Sequence, residues 1–179
     1  MIYVFLANGF EEVEALMPVD ILRRCELPVL TVGIGDRFIQ GSHKITTVCD
    51  ASDSEISMSD VTAIILPGGM PGTLNLEKSK VVNDFIDYAN ENNILICAIC
   101  AAPSILGHKN ILNGKTATCF PGFEKELIGA TLSDEYICQD GNIITARGMG
   151  VAEEFALKIA ENLVGKEKAE KIKNSIGSL

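Results

Sequence analysis

Ile94-Leu95-Ile96-Cys97-Ala98-Ile99-Cys100-Ala101-Ala102-Pro103-Ser104 is the stretch on which the reading of this chain turns. An apolar run stops at a cysteine, and two alanines and a proline follow. The pattern predicts a strand buried on both faces, a sharp turn and a helix start, with Cys100 at the corner. A cysteine at such a corner stands beside the positive end of a helix. That favours the thiolate, so the expectation is a Cys100 sulfur ionised at neutral pH.

Further apolar runs of strand type lie at 2–7, 28–34, 44–48, 61–66, 115–119, 135–139 and 142–146, beside 94–98 itself. Those at 2–7, 61–66 and 94–98 are apolar without alternation, as in strands covered on both faces of a parallel sheet. Helical patterns fall near 11–25, 79–92, 101–107, 149–164 and 167–175. Phe155, Ile159 and Leu163 repeat every four residues with Ala156 and Ala160 beside them, which gives one apolar face, and Gly165 is placed to end that helix. Arg37–Gln40 against Lys44–Val48 reads as a small hairpin. Strands alternating with helices predict an α/β layered domain, and residues 1–179 read as one such domain without linker, repeat or low-complexity segment.

The 179 residues are 47% hydrophobic and 22% charged, ordinary for a globular protein with a sizeable core. The net charge of -9 argues against a nucleic-acid partner, since phosphate binding needs a basic face. No run is apolar for the ~18 residues a membrane helix requires, and Met1 leads straight into a strand-like run, so neither a membrane nor a signal peptide is expected. Cys25, Cys49, Cys97, Cys100, Cys119 and Cys138 are too sparse for a disulfide scaffold. Free thiols in a reducing cytoplasm are the expectation.

In open parallel sheets, sites form at the carboxyl ends of strands. Three segments lie at such ends: Asn8-Gly9-Phe10-Glu11-Glu12-Val13-Glu14, Pro67-Gly68-Gly69 and Cys100. Cys100 is the candidate nucleophile; an inert core cysteine is the plain alternative. Cys97 and Cys100 also form a Cys-x-x-Cys, but Cys97 falls inside the strand, and residues three apart on a strand face opposite ways. Zinc lacks a second such pair, and His43 and His108 lie far away in sequence. The Gly69 N–H, paired with that of Ala101, would suit an oxyanion; a plain Pro-Gly-Gly turn is the alternative. Glu11, Glu12 and Glu14 suit a first helical turn for dipole reasons alone. Glu14, between Val13 and Ala15, is the one placed to face the sheet, where burial and a nearby thiolate would raise its pKa and let the pair share a proton. Glu11 and Glu12 are expected to stay solvated. Pro18 offers no N–H to the Glu14 carbonyl, so the helix is expected to kink or restart there.

Taken together, several of these segments resemble the ThiJ and PfpI superfamily, most closely its DJ-one branch, the parkinsonism-associated deglycases. The resemblance is carried by Glu11-Glu-Val-Glu14 with Pro18-Val-Asp20 and Arg24, Leu66-Pro-Gly-Gly69, Ala98-Ile-Cys-Ala-Ala-Pro103, and Ala146-Arg-Gly148 before Glu154-Phe-Ala-Leu157. It implies a flavodoxin-like α/β sandwich of three layers, related to class I glutamine amidotransferases, with a mainly parallel central sheet and a homodimeric assembly. By matching position it implies Cys100 as reactive cysteine, Glu14 as its protonated carboxyl partner, and Gly69 and Ala101 as backbone N–H donors. It implies no cofactor and no metal, and a small aldehyde such as methylglyoxal as substrate, through a glyoxalase or protein-deglycase reaction. An oxidative-stress sensor or redox-regulated chaperone is the alternative from a different class. Ala101 stands where the protease-like branch carries histidine, which argues against a peptidase triad, and Phe120 stands where some relatives carry histidine before Pro121.

Overall fold

The protein was analysed as a computed structural model, in which residues 1–178 are described. Its strands are β1 (Ile2–Leu6), β2 (Val29–Gly33), β3 (Phe38–Gln40), β4 (Thr46–Val48), β5 (Ala51–Ser52), β6 (Ala63–Leu66), β7 (Leu95–Ile99), β8 (Thr116–Ala117), β9 (Thr131–Leu132), β10 (Ile137–Asp140) and β11 (Ile143–Ala146). Its helices are α1 (Glu12–Arg24), α2 (Gly72–Lys78), α3 (Lys80–Glu91), α4 (Pro103–His108), α5 (Ala152–Val164) and α6 (Lys166–Ser175). Seven strands make the central sheet in the order β10-β11-β7-β6-β1-β2-β5. Every neighbouring pair is parallel except β10 with β11.

The strand period of two divides each strand between two cores. Ile2, Val4 and Leu6 of β1 face one layer, with Ala15, Val19 and Leu22 of α1 and Phe155 and Ile159 of α5. Tyr3 and Phe5 face the other, with Val82, Phe85, Ile86 and Ala89 of α3 and Ile105 and Leu106 of α4. Phe85 meets Tyr3 and Phe5 edge-on, its ring 5.3 Å from each of theirs. A strand with helices on both sides has no polar face to show, which is why these runs lack alternation.

Helix α3 forms because Val82, Phe85, Ile86 and Ala89 repeat at helical spacing, and the Ser79 hydroxyl accepts from the Val82 N–H at its start. Helix α5 ends where Gly165 turns to φ +84. The expected hairpin is present, with Phe38 opposite Val48. Two expectations need correction. Helix α1 does not restart at Pro18; it continues as one helix, its buried side clamped against β1 and α5. The expected strand at 115–119 shrinks to β8, which leaves the central sheet and pairs with β9.

Helix α2 and strands β5 and β9 are additions to the sequence reading. Each is seven residues or fewer, and α2 lacks a side-chain cap, so no local pattern announces it. Among the described residues, no helix is long and apolar enough to cross a membrane. The six cysteines are free thiols.

Candidate functional site

Strands β7, β6 and β1 are consecutive in the sheet, so the three segments at their carboxyl ends converge at its centre. Cys100 follows the last residue of β7 and adopts φ +65, a left-handed conformation that a cysteine holds only at a cost. Two backbone bonds impose it: the Cys100 N–H donates to the Ala146 carbonyl at 2.9 Å, and the Phe120 N–H donates to the Cys100 carbonyl at 2.8 Å. The chain then turns at Ala101-Ala102 and enters α4 with Pro103 at its first position. This strand-to-helix elbow lifts the sulfur above the sheet edge.

Glu14 reaches the elbow from the first turn of α1. It is 1% exposed, and its Oε2 accepts the Gly68 N–H at 2.9 Å. The Met149 backbone N–H lies close enough to favour the charged form of the same carboxyl. Glu11 caps the helix by accepting the Glu14 N–H at 2.7 Å, and its own N–H donates to the Gly68 carbonyl at 2.9 Å. Gly68 makes the meeting possible: a Cβ there would stand 2.6 Å from the Cys100 Cβ and 2.7 Å from Glu14 Oε2. The backbone N–H groups of Gly69 and Ala101 stand close enough to the Cys100 sulfur to favour its thiolate. The geometry therefore brings together Cys100, Glu14, Gly69 and Ala101.

The protonation of the pair differs from the sequence expectation. Burial, then the Glu14 charge and its hydrogen bond, push the Cys100 thiol up to about 12, against the pull of the two N–H groups. Burial likewise raises Glu14 to about 7, while Cys100 and the backbone donors lower it and Glu11 raises it further. The lone sulfur is thus not ionised by its helix. Helix α4 has only six residues, and the carboxylate beside the sulfur outweighs it. Between about pH 7 and about 12 the pair holds one proton, and Glu14 stands ready to take it from the thiol.

The remaining candidates lie elsewhere. Cys97 is sealed in the sheet core, its thiol pushed well up by burial. His108 bridges Glu77 of α2 and Glu126. Glu12 is 4% exposed, contrary to the solvated residue expected. It accepts from the His43 N–H at 2.8 Å and the His43 ring Nδ1 at 2.9 Å, and so ties the β3–β4 hairpin to α1. Glu11, Glu12 and His43 bring ligand-type atoms within 4.8 Å of one another, the set best suited to a cation, although the buried Glu12 carboxylate is already engaged. The backbone contributions of Ala146, Phe120 and Met149 were invisible to pattern reasoning, because a backbone group carries no residue signature.

Gly69 sits at φ +90, and a Cβ there would lie 2.4 Å from the Glu11 backbone nitrogen and 2.6 Å from the Gly9 carbonyl oxygen. Neither neighbour is a flexible side chain. Gly69→Ala is expected to cost about 3–5 kcal/mol, lowering Tm by roughly 10 °C. A thermal melt within a degree of the parent would show that the loop is not pinned as described.

Known proteins match this chain over nearly its whole length in sequence and in fold. The DJ-1/PfpI family model matches residues 1–162. Protein dj-1beta of Drosophila melanogaster is 36% identical over 172 residues, covering 94% of this chain and 92% of its own length. The Parkinson disease protein 7 homolog of Danio rerio is 35% identical over 175 residues, covering 95% and 93%. The crystal structure of Drosophila melanogaster DJ-1beta superposes with a TM-score of 0.94 at 34% identity, covering 99% of this chain and 97% of that one. Toxoplasma gondii DJ-1, solved oxidized, superposes with a TM-score of 0.95 at 29% identity, covering 99% and 97%.

Proposed function

From the premise that this chain belongs to the DJ-1/PfpI family, we propose that it is a cofactor-free cysteine enzyme acting on α-oxoaldehydes such as methylglyoxal. The observation that carries this reading is the set itself: a thiol with a carboxyl on one side and two backbone N–H groups on the other. Both histidines are engaged elsewhere, so the carboxyl is the proton acceptor at hand.

Glu14 takes the Cys100 proton as the sulfur adds to the aldehyde carbon. The Gly69 and Ala101 N–H groups receive the charge that develops on oxygen, Glu14 passes the thiol proton to that oxygen, and the product is a hemithioacetal with Glu14 again a carboxylate. Glu14 then moves the proton from the aldehyde carbon to the neighbouring carbonyl carbon through an enediol, which leaves a lactoyl thioester on Cys100. Water cleaves the thioester, releases lactate and restores the thiol. Atoms balance as methylglyoxal plus water giving lactate, with no oxidant. The same addition chemistry extends to aldehyde adducts on proteins, the deglycase form of the activity.

The protein is proposed to work as a homodimer in a reducing, cytoplasmic setting. Phe38, Ile45 and Val48 on the hairpin and Val13 and Leu16 on the adjoining α1 are exposed apolar side chains suited to a second copy. A sensor role on the same thiol is the second reading, favoured by the Toxoplasma relative having been solved oxidized. Peroxide would convert the thiolate to sulfenic and then sulfinic acid, whose oxygens the same N–H donors would hold.

The test is to incubate the purified protein with methylglyoxal, quantify lactate, and map the Cys100 peptide by mass spectrometry. Lactate formation with a transient adduct on Cys100 is expected. Negligible lactate, with selective oxidation of Cys100 by mild peroxide, would overturn the enzyme reading in favour of the sensor.

A further inference from the structure

Arg147 directly follows β11, between two residues already tied to the candidate site. On one side is Ala146, whose carbonyl holds the Cys100 N–H. On the other is Gly148, where a side chain would meet the Phe120 ring at 3.1 Å and Glu14 Oε1 at 3.7 Å. The Phe120 N–H in turn donates to the Cys100 carbonyl. Two walls of one cleft are therefore fastened to the elbow. The cleft has a volume of about 410 Å³ and is lined by Phe120, Pro121, Tyr136, Arg147, Met149 and Val151 among others. That is the size of a small-molecule site, and apart from the arginine these side chains are apolar or aromatic.

The Arg147 guanidinium is poorly satisfied. Its Nε is buried without a hydrogen-bond partner. Its only ion-pair partner among the described residues is Asp134, whose Oδ1 stands 4.0 Å from Nη2 on a fully exposed side chain. Water screens such a pair, and it contributes little. The Tyr136 ring lies under the guanidinium, its centroid 5.4 Å from Cζ, and fixes the plane. A guanidinium carries five donors in a flat fork that matches a carboxylate. Held by an aromatic ring at the wall of an apolar cleft, with its Nε unpartnered and its one ion pair long and exposed, it suits a molecule with an apolar body and an anionic end.

We propose that Arg147 binds a carboxylate on the substrate, so that the site prefers α-oxoaldehydes bearing a carboxylate, such as 4,5-dioxopentanoate, to methylglyoxal. This rests on Cys100 as the aldehyde-accepting thiol and names the substrate class of that site. The chemistry is unchanged. Sulfur bonds the aldehyde carbon, the proton moves to the adjacent carbonyl carbon, water cleaves the thioester, and 2-hydroxyglutarate leaves.

Two measurements test it. In the first, kcat/KM is compared for 4,5-dioxopentanoate and methylglyoxal. The parent is expected to favour the carboxylate substrate by about tenfold or more, mainly through KM. Arg147→Met removes the preference, and Arg147→Lys, which keeps the charge without the fork, retains part of it. The second needs no turnover. Succinate semialdehyde has no α-oxo group and only forms a reversible adduct, so its protection of Cys100 from iodoacetamide is compared with that of butanal. Protection at about tenfold lower concentration is expected in the parent, and equal protection in Arg147→Met. Equal protection by both aldehydes in the parent overturns the proposal, and so does turnover without preference. Selective protection with no turnover of either substrate upholds the carboxylate site and overturns the isomerase chemistry instead.

Discussion

Cys100→Ser reduces lactate formation from methylglyoxal to the uncatalysed background. The serine hydroxyl occupies nearly the same space, and its backbone can be held at the same φ by the bonds from Cys100 N–H to Ala146 and from Phe120 to the Cys100 carbonyl. What changes is acidity. A carboxyl raised to about 7 can accept the proton of a thiol attacking an aldehyde, but it is far too weak a base for an aliphatic hydroxyl. Stability is expected to stay within about 1 kcal/mol of the parent, so a melting curve separates lost chemistry from lost fold. A serine variant that melts normally and still forms lactate at the parent rate would remove the sulfur from the reaction.

Glu14→Gln has two effects of opposite sign. Turnover is expected to fall by about 10²–10⁴-fold, because Gln accepts no proton from the thiol and returns none to carbon. Cys100, meanwhile, becomes more acidic. The Glu14 charge and hydrogen bond help burial hold the thiol at about 12, and the variant removes both while the Gly69 and Ala101 N–H groups remain. Alkylation followed against pH should show the parent step near 7 disappear, and the upper step move below 12. Falling turnover with rising thiol reactivity is the signature of a proton carrier. A carboxyl that merely propped up the loop would lower both.

The same substitution changes the pH dependence of stability. Glu14 titrates near 4.5 when unfolded and about 7 when folded, so between those values the native protein holds a proton that the unfolded chain has released. Its contribution is complete below 4.5 and is lost as pH rises through 7, on the order of 3 kcal/mol. Melting temperatures from pH 4.5 to 8 should carry this downward slope in the parent and lack it in Glu14→Gln. Identical slopes would place the Glu14 carboxyl in water rather than under Gly68.

Much of the architecture was legible because it depends on period and punctuation. Uninterrupted apolar runs such as Ile2–Leu6 and Leu95–Ile99 announce strands covered on both faces, and the helical spacing of Phe155 and Ile159 announces its helix. The elbow was legible for the same reason, since an apolar run ending in Cys-Ala-Ala-Pro has few other geometries. Short elements were not. Helix α2 and strands β5 and β9 are too short for their own residues to carry a distinguishing pattern, and the expected strand at 115–119 keeps only β8, where β9 offers a backbone partner. The continuity of α1 through Pro18 is likewise a tertiary result, in which burial outweighs one missing hydrogen bond.

Residue order alone thus settled the layered α/β plan and nominated the thiol, the carboxyl, Gly69 and Ala101, since each is a matter of local chemistry and spacing. It misjudged the ionisation of Cys100 and the solvation of Glu12. A pKa depends on what stands within a few ångströms in space: here a carboxylate from a helix 86 positions earlier in the chain, buried with the sulfur by a glycine loop from a third strand. The unpartnered Nε of Arg147 belongs to the same class of fact, because only a folded chain has partners that can be missing.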